Sequence, residues 1–147
     1  IGTVLPCVGD GAPRHGRLIG GNLSLLAHSC GTTWAPDLRD AICILEDVGE
    51  RPYALDRYLT QLLAQKNGIV LSEATAVILG DFTLCQETSD SELNPVAVVQ
   101  ERLRTAGLAC GAGLSVGHGE QNRAFPFGAQ AQLEADGLRL LEPATRA

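Results

Sequence analysis

The sequence predicts an α/β domain built on a mixed sheet and closed by a C-terminal β-hairpin, and three observations carry this. Two short unbroken apolar runs, Ala41 to Leu45 and Thr75 to Leu79, have the length of strands buried on both faces. A helical pattern follows each run, opened in both cases by a proline. Near the C-terminus the period changes to two, and a turn dipeptide follows. Strands alternating with helices, then a hairpin, give a mixed sheet.

Taken in order, Gly16 to Gly20 reads as a short strand running into a double glycine. Asn22 is a good N-cap for a helix from about Leu23 to Cys30, ended by Gly31. After the first apolar run, Pro52 suits a first helical turn. Leu55, Tyr58, Leu59, Leu62 and Leu63 then mark one apolar face, and Asn67-Gly68 closes the helix. The second run ends in Gly80-Asp81. Asn94-Pro95 opens another helix, with Val96, Val99 and Leu103 turned inward. Leu108 to Val116 reads as extended. Ala129, Ala131, Leu133 and Ala135 alternate with Gln130, Gln132 and Glu134, the pattern of a half-exposed strand. Asp136-Gly137 is read as the hairpin turn, with Leu138 to Leu141 returning.

The 147 residues suit one domain, and with six aromatic residues the core must be aliphatic. The net charge of −6 and the absence of a basic run argue against a nucleic-acid or anionic-membrane surface. No apolar stretch approaches the roughly 18 residues of a membrane span, and Ile1 to Val8 lacks the basic flank of a signal peptide. Glu87 to Glu92 reads as a solvated acidic loop. The five cysteines have no CxxC spacing, Cys43 and Cys110 suit small buried side chains, and a reducing cytoplasmic compartment is expected. His28 and Cys30 are too isolated to suggest zinc. The first residue is Ile and methionine is absent, so the chain is expected to be processed or part of something longer.

Polar groups at strand ends are where α/β domains collect ligands. Glu46 and Asp47 follow the first apolar run, and Glu50 lies four residues beyond Glu46. A helix dipole accounts for Glu50. It accounts poorly for Glu46, because a carboxylate abutting five apolar residues is partly desolvated and needs a partner. His118 lies between Gly117 and Gly119 in a loop with little steric cover, a candidate imidazole set against an exposed histidine without a role. His15, in a polar loop, and His28, on a short helix, are blander. Gly113 to Gly117 matches G-x-S-x-G, but the glycines and Pro126 that follow prevent the helix a nucleophile elbow needs, so Ser115 is not expected to be a nucleophile.

Seven short motifs occur in order: Gly20-Gly21-Asn22-Leu23, Gly31-Thr32, Leu45-Glu46-Asp47-Val48-Gly49-Glu50, Asp56-Arg57 with Leu59, Gln61 and Leu62, Leu79-Gly80-Asp81-Phe82, Gly117-His118, and Pro126 with Gly128. Together they resemble the C-terminal domain of the LD-carboxypeptidase family, which holds murein tetrapeptide carboxypeptidases and microcin-immunity peptidases. The likeness spans about Gly16 to Leu133. It implies a swivelling β/β/α-type domain, with residues 1–147 forming the C-terminal part of a two-domain enzyme whose N-terminal domain carries a nucleophilic serine. The family's Ser-Glu-His triad falls on Glu46 and His118, which selects Glu46 over Glu50.

The resemblance implies that His118 is the general base and Glu46 its orienting carboxylate. It implies hydrolysis of the bond to terminal D-alanine in cytoplasmic murein tetrapeptides, with no metal or other cofactor, a partnership with the chain's own N-terminal domain, and a homodimer. This chain alone, lacking the serine, is expected to be inactive. Two alternatives stand beside this: an immunity-type peptidase acting on a peptidyl nucleotide, and a binding domain without catalysis. Trp34 could stack on a base in the former case, against a simpler reading as a semi-buried loop anchor beside Pro36. Asn22 and Arg57 are left between substrate contact and local roles, capping and an ion pair on the helix face. The surface around Glu46 and His118 is expected to be open and partly apolar.

Overall fold

The computed structural model describes residues 4–5, 11–64, 70–86 and 94–143. The strands are β1 (Val4–Leu5), β2 (Arg14–Asn22), β3 (Ala41–Val48), β4 (Ala76–Thr83), β5 (Cys110–Ala112), β6 (Gln130–Glu134) and β7 (Gly137–Leu140). The helices are α1 (Leu23–His28), α2 (Pro52–Ala64) and α3 (Pro95–Thr105), with a 3-10 turn at Leu71–Glu73. The strands form one mixed sheet in the order β1-β7-β6-β2-β3-β4-β5. β2 to β5 are parallel to one another, and β6, β7 and β1 are antiparallel additions. This is the expected α/β class with a terminal hairpin.

The two apolar runs become adjacent central strands because burial on both faces leaves no polar position to put in water. In β3 every residue from Ala41 to Asp47 is buried. Its odd-numbered residues, Cys43 and Leu45, face the helices with Leu55, Leu59 and Leu62 of α2 and Val99 and Leu103 of α3. Its even-numbered residues, Ile42 and Ile44, face a second cluster with Leu18, Ile78, Leu114, Val116, Leu133 and Leu138. The sheet curls so that its antiparallel half and the segment after β5 cover this second face. No aromatic residue is among the buried ones described, so the core is aliphatic as composition requires.

Caps form where the sequence places them. The Asn22 Oδ1 accepts from the Leu25 N–H, and the Asn94 Oδ1 accepts from the Val96 N–H with Pro95 at the first turn. Several expectations need correction. β4 runs through Gly80 and Asp81 to Thr83, because β3 continues beside it to Val48. The hairpin turn is Ala135-Asp136: Gly137 pairs with Glu134 and is already strand. His15 lies within β2, paired with Gln132, and not in a loop. Only Cys110–Ala112 of the segment from Leu108 to Val116 is strand. Cys110 is half-buried, whereas Cys43 is fully buried. β1, unforeseen, pairs with β7. Cys7, Asn67-Gly68 and the acidic loop lie outside the described residues.

Burial alone pushes the Cys43 thiol from 9.0 up to about 12. Since the folded value exceeds the unfolded one, the stabilisation is full below the unfolded value and is lost as pH rises toward the folded value. In urea unfolding at a series of pH values, the stability advantage of the wild type over Cys43→Ala therefore narrows above pH 9.0. A constant difference would contradict this.

Candidate active site

Glu46 and Asp47 are the polar end of a strand that is otherwise apolar, and the alternation of a strand sends them to opposite faces. Both are buried, at 6% and 1% exposure. Asp47 turns to the helical face. Its Oδ1 accepts from Asn22 Nδ2 at 2.9 Å and from its neighbour's Val48 N–H at 2.8 Å, and its Oδ2 accepts from the Ser24 N–H at 2.9 Å. Asn22 in turn accepts from the Ser24 hydroxyl and the Leu25 N–H. One buried carboxylate thus ties the end of β3 to the start of α1.

Glu46 turns to the other face. There the pairing of β3 with β4 slips: Leu45 is opposite Leu79, but Asp47 is opposite Phe82, so Glu46 alone spans Gly80 and Asp81. This is a β-bulge, a device that re-aims side chains at a strand end. The segment after β5 crosses here. The Val116 carbonyl accepts from the Asp81 N–H at 2.8 Å, and a β-carbon at Gly80 would lie 2.2 Å from that carbonyl oxygen. The chain then rises at Gly117, whose N–H donates to Asn122 Oδ1, and presents His118. Gly117 has φ +129°, and a β-carbon there would press on Glu46 and Asp81 at 3.0–3.2 Å. Both its backbone and its contacts favour glycine.

His118 Nδ1 lies 2.9 Å from Glu46 Oε2. An ionised carboxylate only accepts, so the imidazole donates through Nδ1–H and the neutral ring keeps its lone pair on Nε2. The His118 side chain is 54% exposed, while that of Glu46 is 8% exposed. The buried carboxylate has the partner its position demands, and the imidazole has an open side. The structure brings together residues 72 positions apart in the chain.

The other candidates separate from this pair. Glu50 and burial both raise the Tyr58 hydroxyl, burial more, which places Glu50 beside α2. His28 Nδ1 contacts the Ser24 carbonyl, and its ring meets Tyr58 edge-on. Ser115 lies in irregular chain with no helix after it among the described residues, and its carbonyl accepts from the Arg123 N–H. Among the described residues, no group of three or more His, Cys, Asp or Glu is arranged to hold a metal ion. None of their helices is long and apolar enough to cross a membrane.

Residues 15–133 match the family model of the LD-carboxypeptidase C-terminal domain. The chain belongs to the LD-carboxypeptidase family. It is 39% identical over 127 residues to the murein tetrapeptide carboxypeptidase of Pseudomonas aeruginosa, covering 84% of this chain and 39% of that protein. A solved muramoyltetrapeptide carboxypeptidase from Oxalobacter formigenes superposes with a TM-score of 0.79 at 30% identity, over 95% of this chain and 49% of that one. The microcin C7 self-immunity protein MccF of Escherichia coli is 26% identical over 82% of this chain and 34% of its own length. Its solved structure shares the fold, with a TM-score of 0.81 over 95% of this chain and 42% of that chain, at 23% identity. The chain spans about two fifths of the length of the curated relatives it matches.

Within this LD-carboxypeptidase domain, two expectations change. Trp34 is 76% exposed and not a semi-buried anchor; with Leu25, His28 and Asn22 it lines an open apolar cleft. Asn22 is the β2 partner of Glu46, but its side chain turns to Asp47 and α1, and neither Glu46 nor His118 lines that cleft. Arg57 stacks on the Tyr53 ring at 4.9 Å, and the Asp56 beside it pairs instead with Arg102 of α3. Asn22 does cap α1. Sequence reasoning named Asp81 as a strand end and within the Leu79-Gly80-Asp81-Phe82 motif, without a role; the signal for its true place is the one-residue mismatch between two paired strands, which no single segment records.

Asp47→Ala leaves two backbone N–H groups and the Asn22 amide without their acceptor, at a cost of about 1–3 kcal/mol. Urea unfolding measures that loss, and hydrogen exchange should show α1 opening first. Unchanged stability would contradict the role given to Asp47.

Proposed function

We propose that this domain supplies the general base and its orienting carboxylate to a serine carboxypeptidase whose nucleophile is carried by the chain's own N-terminal domain. The observation that carries the reading is the contact between the buried Glu46 carboxylate and Nδ1 of the half-exposed His118 imidazole. With Nδ1–H fixed on Glu46, the Nε2 lone pair faces outward, where a serine hydroxyl from another domain can reach it.

In this mechanism the serine oxygen attacks the carbonyl carbon as its proton passes to His118 Nε2. Glu46 stabilises the imidazolium that results. The tetrahedral intermediate collapses, the C–N bond breaks, and Nε2 gives the proton to the departing amine. Water then repeats the sequence on the acyl-enzyme: Nε2 takes its proton, and the serine recovers one as the acid leaves. A base held in one tautomer and one orientation is what both half-reactions require.

The substrate we propose is a murein tetrapeptide, and the amine released is its terminal D-alanine. The higher identity to the tetrapeptide carboxypeptidase, 39% against 26% to MccF, favours this over a peptidyl nucleotide. The same reading puts the protein in the cytoplasm as a homodimer.

The full-length protein should release D-alanine from a murein tetrapeptide faster than it cleaves a peptidyl adenylate. Glu46→Gln and His118→Ala should each lower kcat by about 10³–10⁴-fold, with a smaller effect on KM. Residues 1–147 alone should release none. Near-normal turnover in either variant would contradict the assignment.

A further inference from the structure

The His118 loop rests on a second carboxylate that the proposed mechanism does not use. Asp81 reaches the Glu46 face through the β4 bulge. A β-carbon at Gly119 would lie 2.5 Å from Asp81 Oδ2, 2.8 Å from its Cγ and 3.2 Å from its Oδ1. A β-carbon at Gly117 would lie 3.2 Å from Asp81 Cβ. Asp81 therefore packs beneath both residues that flank His118, and the missing side chains at those positions make room for it. Its Oδ2 is buried and has no hydrogen-bond partner among the described residues. Leaving a buried carboxylate oxygen unpaired is unfavourable, and such groups concentrate where their charge or strain is used.

We propose that Asp81 is a positioning residue for His118: it supports the Gly117–Gly119 loop from below, and its charge favours the imidazolium form. The charged groups that the packed strands bring to the His118 loop are Glu46 on β3, bonded to the ring, and Asp81 on β4, against the glycines that flank it. Glu120 and Arg123 lie in the same loop, and Asp47 is turned to the opposite face, occupied by Asn22, Ser24 and Val48. Glu46 acts through a hydrogen bond, which fixes orientation as well as charge. Asp81 acts through space, from a carboxylate whose Oδ2 is buried beneath the loop. A carboxylate so placed should strengthen the base in the proton-transfer step. The inference rests on the Glu46–His118 reading, so its test must separate the two.

NMR titration of the His118 ring in this chain does so without enzyme activity, with His28 as an internal reference. Asp81→Asn should lower the His118 midpoint by about half a unit or more, leaving His28 unmoved. Asp81→Glu, which keeps the charge, should restore most of the shift, and Glu46→Gln should lower the midpoint further than Asp81→Asn does. Should Asp81→Asn not fold, Asp81→Ser makes the same neutral comparison. A His118 midpoint unmoved in the neutral Asp81 variant but lowered in Glu46→Gln overturns the proposal and leaves the pair standing. A midpoint unmoved in both overturns the pair, and the proposal with it.

Discussion

A carboxylate at the end of a strand buried on both faces has to find a donor, and this fold is arranged around meeting that requirement twice. β3 ends in two adjacent acids that alternation sends to opposite sides of the sheet. Asp47 collects donors from Asn22, Ser24 and Val48, and so sets where α1 begins. Glu46 receives its donor from His118, the exposed tip of a loop that enters from far along the chain. The structural acid and the candidate catalytic acid differ in their partners: one is enclosed by main-chain and amide groups, the other by a titratable ring with an open side.

The bulge in β4 belongs to the same arrangement. If the pairing of β3 and β4 had stayed in step, Glu46 would face a single residue, and the next would turn away to the helices. The slip gives Glu46 two neighbours, Gly80 and Asp81. The first, lacking a side chain, lets the Val116 carbonyl come down onto the strand; the second lies under the glycines that flank His118. A local irregularity thus fixes both the height of the loop and the charge beneath it.

Much of this was legible in the sequence because its signals are local. The apolar runs at Ala41 and Thr75, the caps at Asn22 and Asn94 and the alternation from Gln130 to Glu134 each arise from neighbours in the chain. Glu46 stood out because five apolar residues precede it, and His118 because two glycines flank it. The misses are all non-local. β1 exists because β7 offers an edge, and Gly137 is strand because Glu134 lies opposite it. Asp81 required the register between two strands, and the exposure of Trp34 required knowing that no described element covers that cleft. The choice between Glu46 and Glu50 also lay beyond spacing, and came from the family resemblance.

The central claim is a division of labour, with the base and orienting acid on this domain and the nucleophile on another. Labelling the full-length protein with a serine-directed fluorophosphonate, followed by peptide mapping, tests it most directly. The account predicts one modified serine outside residues 1–147, with labelling lost in His118→Ala and absent from the isolated chain. Modification of Ser115, or labelling indifferent to His118, would contradict it.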